Sequence, residues 1–194
     1  MSGSRVSIVG AGLAGSLLGV YLARRGMDVT IYERRRDMRV EDISAGRSIN
    51  LALSLRGLTA LAGVGMEEEM TQLSLPMTAR LMHAVDGTLS HQPYGLEDQA
   101  ILSVSRRDLN VRLMNAAEQA GAQIFFEHGC LEVDLETTSL TLQVPGREAK
   151  TVSSDVIIGA DGAYSAVRGS LQTAGRFDYQ QSYLDHVYKE LCIP

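Results

Sequence analysis

Cysteine is scarce in this chain, and the two present, Cys130 and Cys192, lie far apart. That spacing excludes a C-x-x-C redox pair, and the number excludes a disulfide framework, so a reducing compartment is expected. The four histidines, His83, His91, His128 and His186, form no ligand spacing with the cysteines, which leaves no metal site to read. None has a serine or carboxylate partner at a recognisable spacing, and they read as structural. No basic amino-terminal region leads into an apolar run, as a signal peptide requires. No stretch approaches the roughly 20 apolar residues of a membrane span. The formal net charge of -5 is unclustered, whereas a nucleic-acid partner would select a basic face. Internal repeats and low-complexity segments are absent too. What is present is ordinary for a soluble domain with a core: 45% hydrophobic and 21% charged residues over 194 positions, enough for one domain, or one and part of another.

The first chemistry-bearing feature is the run Val6-Ser7-Ile8-Val9 followed by Gly10-Ala11-Gly12-Leu13-Ala14-Gly15 and then a helical pattern. A G-x-G-x-x-G between a strand and a helix is the dinucleotide fingerprint in the context it requires. Gly10 permits the tight turn, Gly12 admits a pyrophosphate to the backbone, and Gly15 allows close helix packing. The pyrophosphate then meets free amides at the positive end of the helix. Leu17, Leu18, Tyr21 and Leu22 continue that helix to a stop near Gly26. A second strand, Val29-Thr30-Ile31-Tyr32, carries Glu33 at its tip, where a carboxylate accepts from the two hydroxyls of a ribose. The first 33 residues therefore read as a site for the ADP moiety of FAD or NAD.

The next turn, Arg34-Arg35-Arg36-Asp37, reads as solvated, with room for one arginine along a phosphate. Helices are expected over 55–62, ending at Gly63, and over 66–73. Extended runs over 79–85 and towards Gln92-Pro93-Tyr94-Gly95 flank Asp86-Gly87, a hairpin signal. Ser105 and Asp108 resemble a capping box, placing a helix start there, and that helix stops near Gly121. A strand is expected over 123–128, antiparallel strands over 131–135 and 140–144, and a buried parallel strand at Val156-Ile157-Ile158. This last strand delivers Gly159-Ala160-Asp161-Gly162 to the carboxyl edge of a sheet, where open α/β folds bind ligands. Read alone, Asp161 has two roles open to it: ligand contact, or capping of a helix that begins near Ser165.

The glycine motif, the Arg106-x-x-Leu109 helix start and the Gly-Ala-Asp-Gly segment together resemble the group A flavoprotein aromatic monooxygenases. Three further segments resemble the branch of that family that hydroxylates L-kynurenine: Gly46-Arg47-Ser48-Ile49-Asn50-Leu51-Ala52-Leu53-Ser54; Arg80-Leu81-Met82-His83 with Gln92-Pro93-Tyr94-Gly95; and Phe177 to Gln181 with His186 to Leu191. The resemblance implies an α/β, glutathione-reductase-type, Rossmann-like FAD-binding fold with an inserted β-hairpin and the start of a substrate-domain sheet, incomplete in these residues. Its expected divisions are 1–75 and 101–175 for FAD, 76–100 for the hairpin, and 176–194 for the start of the substrate domain.

The resemblance further implies FAD as cofactor, with NADPH as transient co-substrate and O2 as oxidant. FAD would be held by Gly10, Gly12, Leu13, Ala14, Gly15, Tyr32, Glu33, Arg34 and Arg35 around the ADP. Arg47, Ala52, Arg106, Cys130 and Asp161 would complete its contacts. Arg80 and Tyr94 would clamp the carboxylate of L-kynurenine, although Arg80 on its own reads as a surface strand arginine. No side chain is assigned a catalytic proton or nucleophile, because the cofactor carries the chemistry. In the family a ribityl-side Gly-Asp motif and carboxy-terminal helices follow the equivalent of Pro194, so these residues alone are expected to bind FAD weakly or not at all and to be inactive. The expected location is cytoplasmic, or the cytosolic face of the mitochondrial outer membrane if an anchor follows. The rival readings are an NAD-dependent dehydrogenase, which leaves residues 159–168 unexplained, and a non-catalytic interaction fragment.

Overall fold

The computed structural model describes residues 3–40, 50–96, 99–176 and 178–186. The chain divides into two compact units, one of Met1–Ala45 with Asn110–Pro194 and one of Gly46–Leu109. The inserted unit is thus wider than the 76–100 hairpin expected from sequence, because further strands and helices accompany the hairpin.

The first unit opens with β1 (Arg5–Val9), α1 (Leu13–Ala23) and β2 (Asp28–Tyr32). In β1 every residue after Arg5 is buried, as an interior parallel strand covered on both faces requires. The second unit runs through β3 (Asn50–Leu53), α2 (Leu55–Ala62), α3 (Glu67–Gln72), β4 (Leu75–Met77), β5 (Ala79–His83), β6 (Leu89–Pro93) and β7 (Ile101–Ser105). Strand β7 pairs antiparallel with both β3 and β4. Strands β5 and β6 form a separate hairpin in which Arg80 faces Gln92 and Leu81 faces His91.

Helix α4 (Arg106–Gln119) begins where Ser105 Oγ accepts the Asp108 N–H at 3.3 Å, half of the expected capping box. Then follow β8 (Gln123–Phe125), the antiparallel β9 (Gly129–Asp134), β10 (Ser139–Gln143) and β11 (Lys150–Ser153), and finally β12 (Val156–Gly159) and α5 (Ala166–Thr173). Strand β8 stops short of the expected His128 because Glu127 turns to φ 56°, a conformation no strand continues through.

The parallel sheet has the order β12-β1-β2-β8, the first half of a doubly wound fold read from its other edge. A β-meander, β9 to β11, replaces the helix that would return the chain from β8 to β12. Its Val133, Leu140 and Leu142 bury against Val9 of β1 and Val167 of α5. On α1, an added Cβ at Gly19 would lie 2.8 Å from Ile31 of β2 and 3.5 Å from Ala117 of α4, so these three elements pack closely. Each fully buried side chain of the Ile8, Ile31 or Leu140 kind contributes about 1.5–3 kcal/mol. Strand β12 is one of the two outer strands of the sheet among the described residues, and Val156 is 45% exposed, so it lacks the full burial expected from its apolar run. Among the described residues no helix is long and apolar enough to cross a membrane.

Candidate functional site

The carboxyl ends of β1 and β12 lie side by side, Val9 opposite Gly159, and the strand order reverses between them, β2 and β8 following on one side of β1 and β12 lying on the other. That is the topological switch point at which open α/β sheets take ligands. The glycine motif and the Gly-Ala-Asp-Gly segment, far apart in sequence, abut here. Gly10 adopts φ +105°, and a Cβ on it would stand 2.6 Å from the Ala160 carbonyl oxygen. A Cβ on Gly15 would stand 1.9 Å from the carbonyl oxygen of Gly10. Both glycines are demanded by backbone approach. Gly12 differs: its φ is an ordinary -74°, and an added Cβ would meet nothing within 4 Å. Its open side faces away from the protein.

The first intrahelical bond of α1 runs from the Ser16 N–H to the Gly12 carbonyl at 2.9 Å. The amides of Leu13, Ala14 and Gly15 therefore have no intrahelical acceptor. Glu33 leaves the tip of β2 and pins this turn, one oxygen accepting from the Ala11 N–H and the other from the Arg35 N–H, both at 2.9 Å. Each oxygen keeps a second lone pair for a further donor. Tyr32 contributes its backbone carbonyl, which accepts the Gly10 N–H at 2.8 Å. Its ring packs against the Val9–Leu140 core and stacks on Phe125 at 5.8 Å. Burial pushes its phenol pKa up.

Arg34 and Arg35 are exposed, and the Arg34 stem lies over Gly129. Next in sequence, Cys130 is half-buried, and burial together with the negative charge of Asp161 pushes its thiol up to about 11. It is a neutral thiol at physiological pH. Asp161 itself accepts from Ser165 Oγ at 2.6 Å and from the Ala166 N–H at 2.7 Å, while Ser165 Oγ accepts the Arg168 N–H at 2.9 Å. The aspartate thus caps α5 and also lines an open cleft of about 450 Å³ shared with Ala14, Gly162 and Arg168.

Two groups at this edge have no signal in the sequence. Asn110 of α4, only 5% exposed, donates from Nδ2 to the Ala11 carbonyl at 3.1 Å while its Oδ1 has no partner among the described residues. A buried orphan of that kind costs about 1–3 kcal/mol. Arg39 pairs with Asp37 at 2.7 Å and with Glu118 of α4, and lies over the Phe126 ring.

In the second unit, Ala52 sits exposed on β3 opposite Ser103, and Arg106 is the exposed first residue of α4. Arg80 is exposed on β5, where its Nε donates to Gln92 Oε1 at 2.7 Å. Tyr94 follows β6, held by its N–H on the Thr78 carbonyl at 2.9 Å, with its side of the hairpin open. Arg47 lies outside the described residues.

The residues of the first unit fit the ADP portion of FAD: unpaired amides with an open face, an acidic strand tip and a cleft at the switch point. Comparison with known proteins agrees. The FAD binding domain family matches residues 4–188. A kynurenine 3-monooxygenase of Myxococcus xanthus is 47% identical over 192 residues, which is 97% of this chain and 41% of that protein. The Sus scrofa kynurenine 3-monooxygenase is 44% identical over 190 residues, 97% of this chain and 40% of its own length. Among solved structures, 2-methyl-3-hydroxypyridine-5-carboxylic acid oxygenase superposes with a TM-score of 0.73 at 24% identity, over 88% of this chain and 43% of that one, a likeness of fold. This chain spans about two fifths of the curated relatives it matches. It belongs to the FAD binding domain family, and its sequence is similar to the amino-terminal part of kynurenine 3-monooxygenases.

Proposed function

We propose that this chain supplies the FAD-binding part, and part of the substrate site, of an FAD-dependent monooxygenase that converts L-kynurenine to 3-hydroxykynurenine with NADPH and O2. The observation that carries this reading is 47% identity to a kynurenine 3-monooxygenase across 97% of the chain, in a fold whose switch-point edge is built for a dinucleotide. Bound FAD supplies the redox chemistry of oxygen transfer.

The chain's own residues bind and orient. The amides of Gly12, Leu13, Ala14 and Gly15 receive the pyrophosphate, and Glu33 receives the adenosine ribose through its spare lone pairs. Arg34 and Arg35 add positive charge beside the phosphates, and Tyr32 fixes the Gly10 turn through its carbonyl. Cys130 and Asp161 border the cofactor, the first as an uncharged wall and the second holding α5 in place at the cleft. Arg47, Ala52 and Arg106 take the flavin side. With its Nε committed to Gln92, Arg80 presents its two terminal nitrogens to the amino-acid carboxylate, a planar two-point grip that suits guanidinium, and the Tyr94 hydroxyl donates beside it.

Titration with FAD, followed by flavin absorbance and equilibrium dialysis, tests the first half. Turnover of L-kynurenine by a full-length protein carrying these residues tests the second. A wild-type chain that binds neither FAD nor ADP sinks the cofactor reading, and a flavin-loaded enzyme that ignores L-kynurenine sinks the substrate reading.

A further inference from the structure

We propose that Asn110 is a positioning residue that aims the Gly12 amide at the pyrophosphate. The inference rests on the nucleotide reading above and goes beyond the glycine motif itself.

The Ala11 carbonyl oxygen accepts two buried side-chain donors, Ser16 Oγ from α1 and Asn110 Nδ2 from α4, each at 3.1 Å. Ala11 is 2% exposed, Ser16 fully buried and Asn110 5% exposed, so the carbonyl points into the protein. No cis peptide occurs among the described residues. In a trans peptide the C=O and the following N–H point in opposite directions across one plane. Anchoring the Ala11 carbonyl inward therefore turns the Gly12 N–H outward. There it makes no hydrogen bond among the described residues, on the side where a Gly12 Cβ would find open space. A flipped Ala11–Gly12 peptide would present a carbonyl to the anion in place of a donor.

Asn110 has one task in this arrangement. A carbonyl acceptor demands the nitrogen end of its amide, Nδ2 also lies 3.6 Å from Met38 Sδ, and Oδ1 is buried with no partner among the described residues. A side chain that leaves half of its polar capacity unused in the core is there for its donor. The glycine motif supplies the peptide, and α4, a helix remote in sequence that packs beside α1, sets its orientation, so the amide is aimed before the ligand arrives.

The test compares two probes on the 194-residue chain: ADP, which carries the pyrophosphate, and adenosine, which lacks it. Kd values come from calorimetry for ADP and ligand-observed NMR for adenosine, with far-UV circular dichroism to establish folding. Asn110→Leu keeps the shape and removes the donor. It is expected to weaken ADP about tenfold with adenosine unchanged, the loss of roughly one hydrogen bond to a charged group. Asn110→Asp, which sets a carboxylate against the Ala11 carbonyl, is expected to weaken ADP further with the same selectivity. Ser16→Ala removes the second donor and carries the test if the Asn110 variants do not fold, with a smaller selective loss expected. Equal loss of both probes, or no loss of ADP, in a folded variant overturns the positioning role and leaves the nucleotide reading standing. A wild-type chain that binds neither probe overturns both.

Discussion

The two units hold their candidate residues by opposite means. In the first, β1 is buried from Val6 to Val9, and the groups proposed for the cofactor are backbone amides and carboxylates tied to backbone: Glu33 to Ala11 and Arg35, Asp161 to Ala166. In the second, every residue of β6 and all but the first of β5 are exposed, and among the described residues Arg80 is held by a single side-chain bond, to Gln92. A two-stranded hairpin of that kind is marginal without cover. The lesson is that the geometry proposed for the nucleotide is built into the core, while the residues proposed for the substrate lie on a strand pair whose register, set by Asp86-Gly87, places the side chains. The two functions should therefore fail independently.

The largest effect expected of any single substitution is at Arg80. In a full-length protein carrying these residues, Arg80→Ala should keep bound FAD and lose L-kynurenine binding by about 2–5 kcal/mol, the usual cost of truncating one partner of a desolvated charge pair. Arg80→Lys should recover only part, because an ammonium cannot reproduce the planar grip. Steady-state kinetics beside the flavin spectrum check both halves, and an unchanged Michaelis constant would end the clamp assignment.

Next come the glycines, which separate fold from binding inside the first unit. Gly15→Ala drives a Cβ to 1.9 Å from the Gly10 carbonyl oxygen and should cost about 3 kcal/mol of stability in urea unfolding. Gly12→Ala meets open space, so it should cost at most about 1 kcal/mol as a cap change while cutting ADP affinity. Equal stability losses for the two would show that Gly12 is a packing glycine as well.

Glu33→Ala follows, with an expected loss of about 1.5–3 kcal/mol in ADP or FAD binding, or roughly one to two powers of ten. Part of that loss comes through the freed Ala11 N–H, since the carboxylate also pins the turn. In the full-length protein the Michaelis constant for L-kynurenine should not move at saturating FAD. If it rises together with the FAD dissociation constant, the two functions are coupled and the comparison between units breaks.

Much of this architecture was legible in the residues. Helix α2 spans Leu55–Ala62 as expected, the hairpin turns at Asp86-Gly87, and the fingerprint lies between β1 and α1. Strands β4 and β11 were not legible. The first is three residues long with Pro76 at its centre, and the second, Lys-Thr-Val-Ser, lacks apolar alternation, so tertiary pairing alone makes them strands. The candidate site was legible wherever chemistry is local, as in the glycine run, and illegible where partners are distant. Asp161 left two roles open, and only the placement of Ser165 and Ala166 adds capping to the cleft position. Asn110 and Arg39 gave no signal, because their partners Ala11 and Glu118 are remote in sequence.

The smallest expected effect concerns that second hidden group. Arg39 and Asp37 pair at 2.7 Å with their side chains each 20% exposed, and Arg39 extends the network to Glu118 and Asn115 of α4. This ties the segment after Glu33 to the helix that carries Asn110, so it supports the nucleotide edge without touching it. Arg39→Leu should cost about 1–2 kcal/mol, more than a fully exposed ion pair and less than a buried one, or a few degrees in melting temperature for a chain of this size. The pair also predicts a pH dependence. The hydrogen bond from the Arg39 guanidinium holds the Asp37 carboxyl below its ordinary value in the folded chain, so near that value the unfolded chain binds more protons than the folded one. Stability from the pair is complete above the unfolded carboxylate pKa of about 3.9 and is lost as pH falls through the lower folded value. Urea unfolding of the wild type between pH 5 and pH 2.5 should show that falling limb, and Arg39→Leu should flatten part of it. A variant with the wild-type slope and a simple downward offset would mean that Arg39 acts through its packing on Phe126 and not through charge.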